Sequence, residues 1–472
     1  MPPSAGSLPC KHDHLQLDFS PHAKDVGFCR EPLERRTAAA GGRSKSWDEI
    51  LFPGPLVLPG DALTLDPQYP PQSVLSWERS KWRNKITPQR KTIYVSPPPE
   101  LDPRLSRFLP SWLVSSPLRG KRRVASRGSG DKPPTAEQIR SYLEAFYHPL
   151  PVKLLPDEVR FVPWSDNTQK KVMSTPEYIG LQIGDSVTRI TTRPCPDKAF
   201  LRQLDLKNIL DAALAAVPKD AYALVMMIDH DMFEDEDDDF CCGRAYGGSR
   251  VCVVSSTRYH VSLDDMAGVR RDHAWPFSHC EAYMEEIRED AEEDIESDPP
   301  KPKRRKRETI YVPPKRVVEA KNHPMGHVIQ ASVAADSIRA HGDKMTIRNS
   351  EGLWLVGLVR TVSHELGHCF CLDHCIYYAC YMQGTASIVE DVRQPLYPCL
   401  VCEAKLLHAI RELKGDEGEK FEPVQWQIER HTALAEFCKP WEDVAEFAGY
   451  RCWLEKRVEM LEVAKERSGD ES

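Results

Sequence analysis

Residues 364–382 read HELGHCFCLDHCIYYACYM, and the rest of the chain is interpreted outward from this stretch. His364, Glu365 and His368 form an HExxH set. On a helix, positions i and i+4 stack one turn apart, so two imidazoles converge on one point with Glu365 beside it. Zinc suits that arrangement, because imidazole nitrogens hold it at about 2.0 to 2.1 Å. His374 lies six residues beyond His368, the spacing of the extended motif HExxHxxGxxH. With 16 histidines in 472 residues, demanding one more at a fixed place makes a chance match about thirtyfold rarer. Three neutral histidines leave the fourth tetrahedral position open, as catalytic rather than structural zinc sites do.

Towards the N-terminus, Leu355, Val359, Val362 and Leu366 are spaced four, three and four, which predicts a helix over 353–369 with one buried stripe. Gly357, Thr361, His364 and His368 fall on another face of it. Towards the C-terminus come Cys375, Cys380 and the CxxC pair Cys399 and Cys402, with 18 residues between Cys380 and Cys399. Two such pairs suit a tetrahedral thiolate site that ties down the chain after the helix.

The run from His364 to Met382, followed by CLVC at 399–402, resembles the archaemetzincins, a branch of the metzincin zinc peptidases. Their pattern is HExxHxxGxxHC, four residues, CxM, a spacer and CxxC. A fainter likeness extends upstream, where 221–230 and 243–258 look like the family's strand, loop and upper edge strand, so that roughly half of the chain is covered. The resemblance implies that His364, His368 and His374 ligate a catalytic zinc and that Glu365 is the general base towards its water. Met382 then supplies the apolar turn beneath the metal, and Cys375, Cys380, Cys399 and Cys402 hold a second, structural zinc, making two Zn2+ per chain. The implied fold is α+β, a metzincin-like zincin with a twisted mixed sheet, packed helices, an HExxH active-site helix, a cysteine-zinc module and a helical C-terminal part. The implied function is a zinc metallopeptidase hydrolysing peptide bonds; the family's members are aminopeptidase-type on short peptides, and the residues leave endo- and exopeptidase action both open. Its partner is a peptide or protein substrate, paired by strand addition to an exposed strand for which Val251 to Ser255 is the candidate. Asp229, Asp231 and the acidic run 234–239 are the residues on offer to a substrate amine.

One position departs from the pattern. Cys371 stands where the family has glycine, and a side chain there costs about 1 to 2 kcal/mol in a left-handed turn. Cys369 and Cys371 also bring thiols towards the metal. The alternative is therefore a latent or catalytically inactive zinc scaffold that serves as an interaction protein.

Composition sets the remaining bounds. A net charge of -8 argues against a nucleic-acid-binding surface. The longest apolar run, near 353–359, falls far short of the roughly 18 to 20 residues that a bilayer requires. Fifteen cysteines without a basic-then-apolar leader indicate metal ligands in a reducing, intracellular setting, cytoplasmic or nuclear. Residues 1–134, rich in proline, serine and arginine, read as a largely flexible extension, with 51–58 and 92–95 as edge strands. Residues 135–470 read as the catalytic domain. Helices are expected at 136–146, 200–217, 403–413, 424–437 and 441–461, and strands at 158–162, 178–183, 188–192, 221–228 and 251–255. An insertion at about 281–316 turns from acidic to the basic heptad 301–307, and no apolar core can form in it.

Overall fold

Every residue of the strand Ala221–Ile228, AYALVMMI, is buried, because the sheet it belongs to is covered on both faces. The computed structural model describes residues 10–42, 46–119, 131–164, 176–296, 317–339, 345–414 and 421–469. Successive side chains of a strand point to opposite faces. Ala223, Val225 and Met227 accordingly enter one core, and Leu224, Met226 and Ile228 enter another. The neighbouring strands divide in the same way, with Ile93, Val95, Cys252 and Val254 on the first side and Tyr94, Val251 and Val253 on the second.

This sheet has five strands in the order Gly243–Ala245, Val251–Ser255, Ala221–Ile228, Thr92–Ser96, Val152–Leu154. Its neighbours pair in parallel except at the first edge, where Gly243–Ala245 runs antiparallel to Val251–Ser255. A second sheet of six strands runs from Met232–Phe233 through Arg202–Asp205, Ser186–Pro194, Tyr178–Ile183 and Val159–Pro163 to Glu100–Leu101. Its side chains Phe161, Ile179, Leu181 and Ile190 close the second core together with helix Leu206–Ala215. The first core lies under helices Ala136–Phe146 and Ile347–Cys369 and the C-terminal helices Leu400–Lys414, Pro423–Cys438 and Ala445–Gly469. The architecture is mixed α+β.

Several expectations are corrected. Thr92–Ser96 is an interior strand rather than an edge strand, and all five of its residues are buried. Residues 52–58 are buried without forming a strand. Leu15, Leu51, Phe52, Trp77 and Ile86 enter the same core as the helix bearing the histidines, so residue 134 does not separate two cores. The helix expected at 200–217 begins only at Leu206, after the strand Arg202–Asp205. Asp205 causes the break, since its carboxylate accepts the N–H groups of Lys207 and Asn208 as an N-cap. Val251–Ser255 is not exposed. It lies between two strands, and the edge position belongs to Gly243–Ala245.

Of the charged insertion, Glu281–Glu296 is helical, with Tyr283 and Met284 buried at its foot, and the basic heptad at 301–307 lies outside the described residues. Among the described residues no helix is long and apolar enough to cross a membrane.

Candidate active site

Thr346 starts the central helix, its hydroxyl accepting the Asn349 N–H, and the helix runs for 23 residues to Cys369. It extends further towards the N-terminus than the stripe predicts, and it is buried on more than one face. Leu355, Val359, Val362 and Leu366 face the core at 1% exposure or less. On the other side Gly357 meets the ring of Tyr259 so closely that a Cβ would lie 2.5 Å from its Cδ1, and Tyr259 and Thr361 share a short hydroxyl contact. Both packings hold the last two turns, which carry His364, Glu365 and His368, against the sheet.

The chain leaves the helix through a Schellman turn, in which Leu372 N–H donates to the Gly367 carbonyl and Cys371 N–H to the His368 carbonyl. Cys371 sits at the left-handed position of that turn, with φ of 60°. The turn that the family makes with glycine is thus made here by a residue with a Cβ. Residues far back in the chain satisfy the helix-end carbonyls. Trp77 Nε1 donates to Phe370 O at 2.8 Å, Gln72 Nε2 to Cys371 O at 3.0 Å, and the Tyr222 hydroxyl to Cys369 O at 3.3 Å.

The turn brings His374 back to the helix. One nitrogen from each of His364, His368 and His374 lies within 4.8 Å of the others, and the ring centroids are 4.8 to 5.3 Å apart. His364 Nδ1 is 2.7 Å from Tyr381 O, and His368 Nδ1 is 2.7 Å from Leu372 O. Carbonyl oxygens only accept, so each Nδ1 carries the proton and each Nε2 presents a lone pair. Those two Nε2 atoms face one another at 3.1 Å. Two lone pairs at that distance repel unless a cation lies between them, so the donor set fits a metal ion. Burial holds all three histidines below the usual imidazole range, His374 at about 4, which keeps them neutral as ligands must be. Neither Cys369 nor Cys371 joins the group, and the Cys371 thiol is 3.6 Å from the Ser80 hydroxyl.

Met382 is fully buried beneath the histidines. A Cβ on Gly367 would lie 2.4 Å from its sulfur, and its carbonyl accepts the Cys375 N–H at 2.7 Å. Gly384 leaves room for His374, since a Cβ there would lie 2.8 Å from the imidazole Nδ1. Cys375, Cys380, Cys399 and Cys402 are all buried with their sulfurs within 4.8 Å of one another. Cys380 Sγ also accepts the N–H groups of Met382 and Cys399, at 3.5 and 3.2 Å. The four-cysteine group thus pins both ends of the segment that forms the floor under the histidines.

Glu365 is buried beside the histidines and its Oε2 has no partner. Burial pushes its carboxyl up to about 8, against the pull of Arg244 and a backbone N–H at Ala245. The edge strand lies directly over it. A Cβ on Gly243 would meet Glu365 Cγ at 2.9 Å and Thr361 Cγ2 at 3.0 Å. The cleft in front holds about 330 Å³ and is lined by the three histidines, Glu365, Arg244 and Trp82, among others. Arg244 is paired to Glu234 at 2.9 Å, and the Trp82 side chain is 81% exposed. Asp231 is not on offer to a substrate, being fully buried with both carboxylate oxygens bonded to Arg258 at 2.8 and 2.5 Å.

Trp82, Gln72 and Tyr69 were invisible to motif reading, because they come from a proline-rich segment without periodicity. The Tyr69 ring lies 5.6 Å from that of His374. The only signal in the sequence was the presence of tryptophan and tyrosine in a stretch otherwise poor in apolar residues.

Residues 315–408 match peptidase family M54, a segment that contains all three histidines, Glu365, Met382 and the four cysteines. Archaemetzincin-2 of Homo sapiens is 34% identical over 88 residues, 19% of this chain and 24% of its own length. The archaemetzincin of Aeropyrum pernix is 42% identical over 57 residues, 12% of this chain and 31% of its own. The crystal structure of the archaemetzincin from Methanopyrus kandleri covers 69% of this chain and 98% of that one, at 13% identity and a TM-score of 0.30. The matched stretch spans about a quarter of the length of the human relative. The resemblance read from the motif is thus an archaemetzincin one, shared with eukaryotic proteins.

Proposed function

We propose, on the M54 match over residues 315–408 that takes in the three histidines, Glu365 and the four cysteines, that this chain is a zinc-dependent metallopeptidase with a metzincin-like site. The observation that carries the reading is the opposed pair of Nε2 lone pairs on His364 and His368, closed by His374, with an unpartnered Glu365 oxygen beside them. His364, His368 and His374 would hold the catalytic zinc, and the four cysteines a structural one. When bound, zinc supplies the Lewis acidity that brings the pKa of a water to about 7 and polarises a carbonyl.

The chain's own residues do the rest. Glu365, whose ionised form a cation among the histidines would favour against the burial that raises its carboxyl, takes through Oε2 the proton of the attacking water and returns it to the leaving amine, serving as base and then acid. The carbonyls of Tyr381 and Leu372 fix the ring orientation and tautomer of two ligands and raise their basicity. Gly243–Ala245, the antiparallel edge strand at the cleft, offers its free backbone edge to an extended peptide, taking over the role expected of Val251–Ser255. The Arg244–Glu234 pair at the rim favours short peptides whose charged ends exchange with it, an aminopeptidase-type preference.

The latent reading is less well supported, because the Cys371 thiol, although Cys371 lines the same cleft, lies outside the histidine group. The test is a Glu365→Gln variant assayed beside the unmodified chain on a mixed library of short peptides, with bound zinc counted in both. Equal zinc with cleavage lost at least a thousandfold in the variant supports the assignment. Cleavage by the variant at the unmodified rate, or by neither protein, overturns it.

A further inference from the structure

Cys10, His12 and Cys280 each bring one ligand atom to within 4.8 Å of the others, in a group separate from both sites described above. The two sulfurs are 3.5 Å apart, the same separation as Cys375 and Cys399 in the four-cysteine group. A disulfide bond is about 2.05 Å long. A tetrahedral ion with Zn–S bonds of about 2.3 Å sets its sulfurs about 3.8 Å apart, close to what is seen. His12 is only 7% exposed, and its Nδ1 is buried with no hydrogen-bond partner. Its ring is clamped, stacked on Phe277 at 4.6 Å and met by His273 at 5.3 Å. Its backbone is held in the left-handed region at φ 51°, where a residue other than glycine is uncommon. A dry imidazole nitrogen beside two thiols is an unfavourable arrangement unless a metal binds them.

We propose that Cys10, His12 and Cys280 form a further zinc-type site, a clip that closes the N-terminal strand onto the foot of the charged insertion. The strand His14–Gln16 pairs with Val317–Glu319, and Leu15 makes a β-bridge to Cys280, from which the helix Glu281–Glu296 departs. One short strand therefore touches Cys280 and Val317–Glu319, which precede and follow residues 281–316, and the ion fastens it at Cys280. Two thiolates and an imidazole select a soft, tetrahedral divalent ion. Binding releases two thiol protons, and because Cys10 is only half-buried, water reaches the fourth corner.

The experiment counts zinc per chain by elemental mass spectrometry in the full-length, reduced protein and in Cys10→Ser, His12→Asn and Cys280→Ser variants, with peptide cleavage measured in parallel. Each variant is expected to lose one equivalent relative to the unmodified chain while cleavage persists. In the cobalt(II)-loaded proteins, thiolate-to-metal absorbance should fall by the share of two thiolates in Cys280→Ser with Cys10→Ser combined. Unchanged zinc in Cys10→Ser overturns the proposal, as does an intact mass showing a Cys10–Cys280 disulfide in the zinc-loaded protein. Should Cys280→Ser fail to fold, Cys10→Ser at the half-buried end decides alone.

Discussion

Tyr69 donates its phenolic hydroxyl to Asp373 Oδ1 at 2.5 Å, joining a proline-rich segment to the residue just before the third histidine, more than 300 positions away. The same Asp373 oxygen accepts the His374 N–H at 3.0 Å, and the Asp373 N–H donates to Gln72 Oε1, which Lys405 also reaches at 2.7 Å. His374 is thus aimed by a network that its own loop does not contain. Partners one shell out from a metal typically change its affinity 10- to 100-fold. Tyr69→Phe, which removes one hydroxyl and keeps the ring against His374, is expected to weaken zinc at the histidine site about tenfold. A chelator titration reads this directly, and any zinc bound by the four cysteines should be retained.

The left-handed Cys371 yields a second prediction. At φ 60° a Cβ is strained, and glycine relieves it. Cys371→Gly is expected to stabilise the fold by about 1 kcal/mol, offset in part by the greater freedom of glycine in the unfolded chain. Thermal denaturation should show a small rise in Tm with no change in zinc content. A fall in zinc would make the thiol a ligand and revive the latent reading.

What could be read from the sequence follows from how local each signal is. The helix, its buried stripe, the three histidines, Met382 and the four cysteines all lie within residues 347–402, where spacing translates directly into geometry. Cys371 could be singled out because it breaks that spacing pattern. The contributions of Tyr69, Gln72 and Trp77 could not, since a hydrogen bond spanning about 300 residues leaves no period in the chain. Thr92–Ser96 was legible as a strand but not as an interior one. Five residues followed by three prolines give no clue to their neighbours, and only the burial of both faces shows the position.

Glu390 sets a pH dependence away from the histidine and four-cysteine groups. Its Oε2 accepts the N–H groups of Ala62 and Ala386 at 2.9 and 2.7 Å, while its Oε1 is buried without a partner. Burial, with Asp61 nearby, pushes the carboxyl from 4.5 up to about 8. A carboxyl raised in the folded state binds its proton more tightly there than when unfolded, so its contribution is full below 4.5 and declines as pH rises towards 8. The decline should amount to at most about 5 kcal/mol. Glu390→Gln keeps the two acceptor bonds and has no proton to lose. Denaturant melts at a series of pH values should show a flatter profile for the variant across that window, with the two proteins converging at its acid end. Parallel profiles would mean that folding does not shift the Glu390 carboxyl.

His230 acts in the opposite direction. It is buried against Trp112 and Phe161 with neither ring nitrogen bonded, and burial lowers it from 6.5 to about 4. A histidine kept neutral in the fold but free to charge when unfolded costs stability as pH falls from 6.5 towards 4, by about 3 kcal/mol in all. His230→Phe should remove that loss, and acid melts of the two proteins should diverge progressively below 6.5 with the variant the more stable. Identical acid limbs would place the acid sensitivity elsewhere.

Gly243 decides how closely the edge strand approaches Glu365, the proposed base. With a Cβ it would meet Glu365 Cγ at 2.9 Å and Thr361 Cγ2 at 3.0 Å, distances that ordinary packing does not sustain. Thr361 cannot retreat, because its hydroxyl is tied to Tyr259 and to the Gly357 carbonyl. The strain therefore falls on the strand or on Glu365, and a displacement near 1 Å at a catalytic group costs about a hundredfold in rate. Gly243→Ala is expected to lower kcat by one to two orders of magnitude, with zinc content and Tm nearly unchanged. If KM rises while kcat holds, the strand has moved and its pairing with the peptide has suffered. If kcat falls while KM holds, Glu365 has moved and the glycine serves the proton transfer.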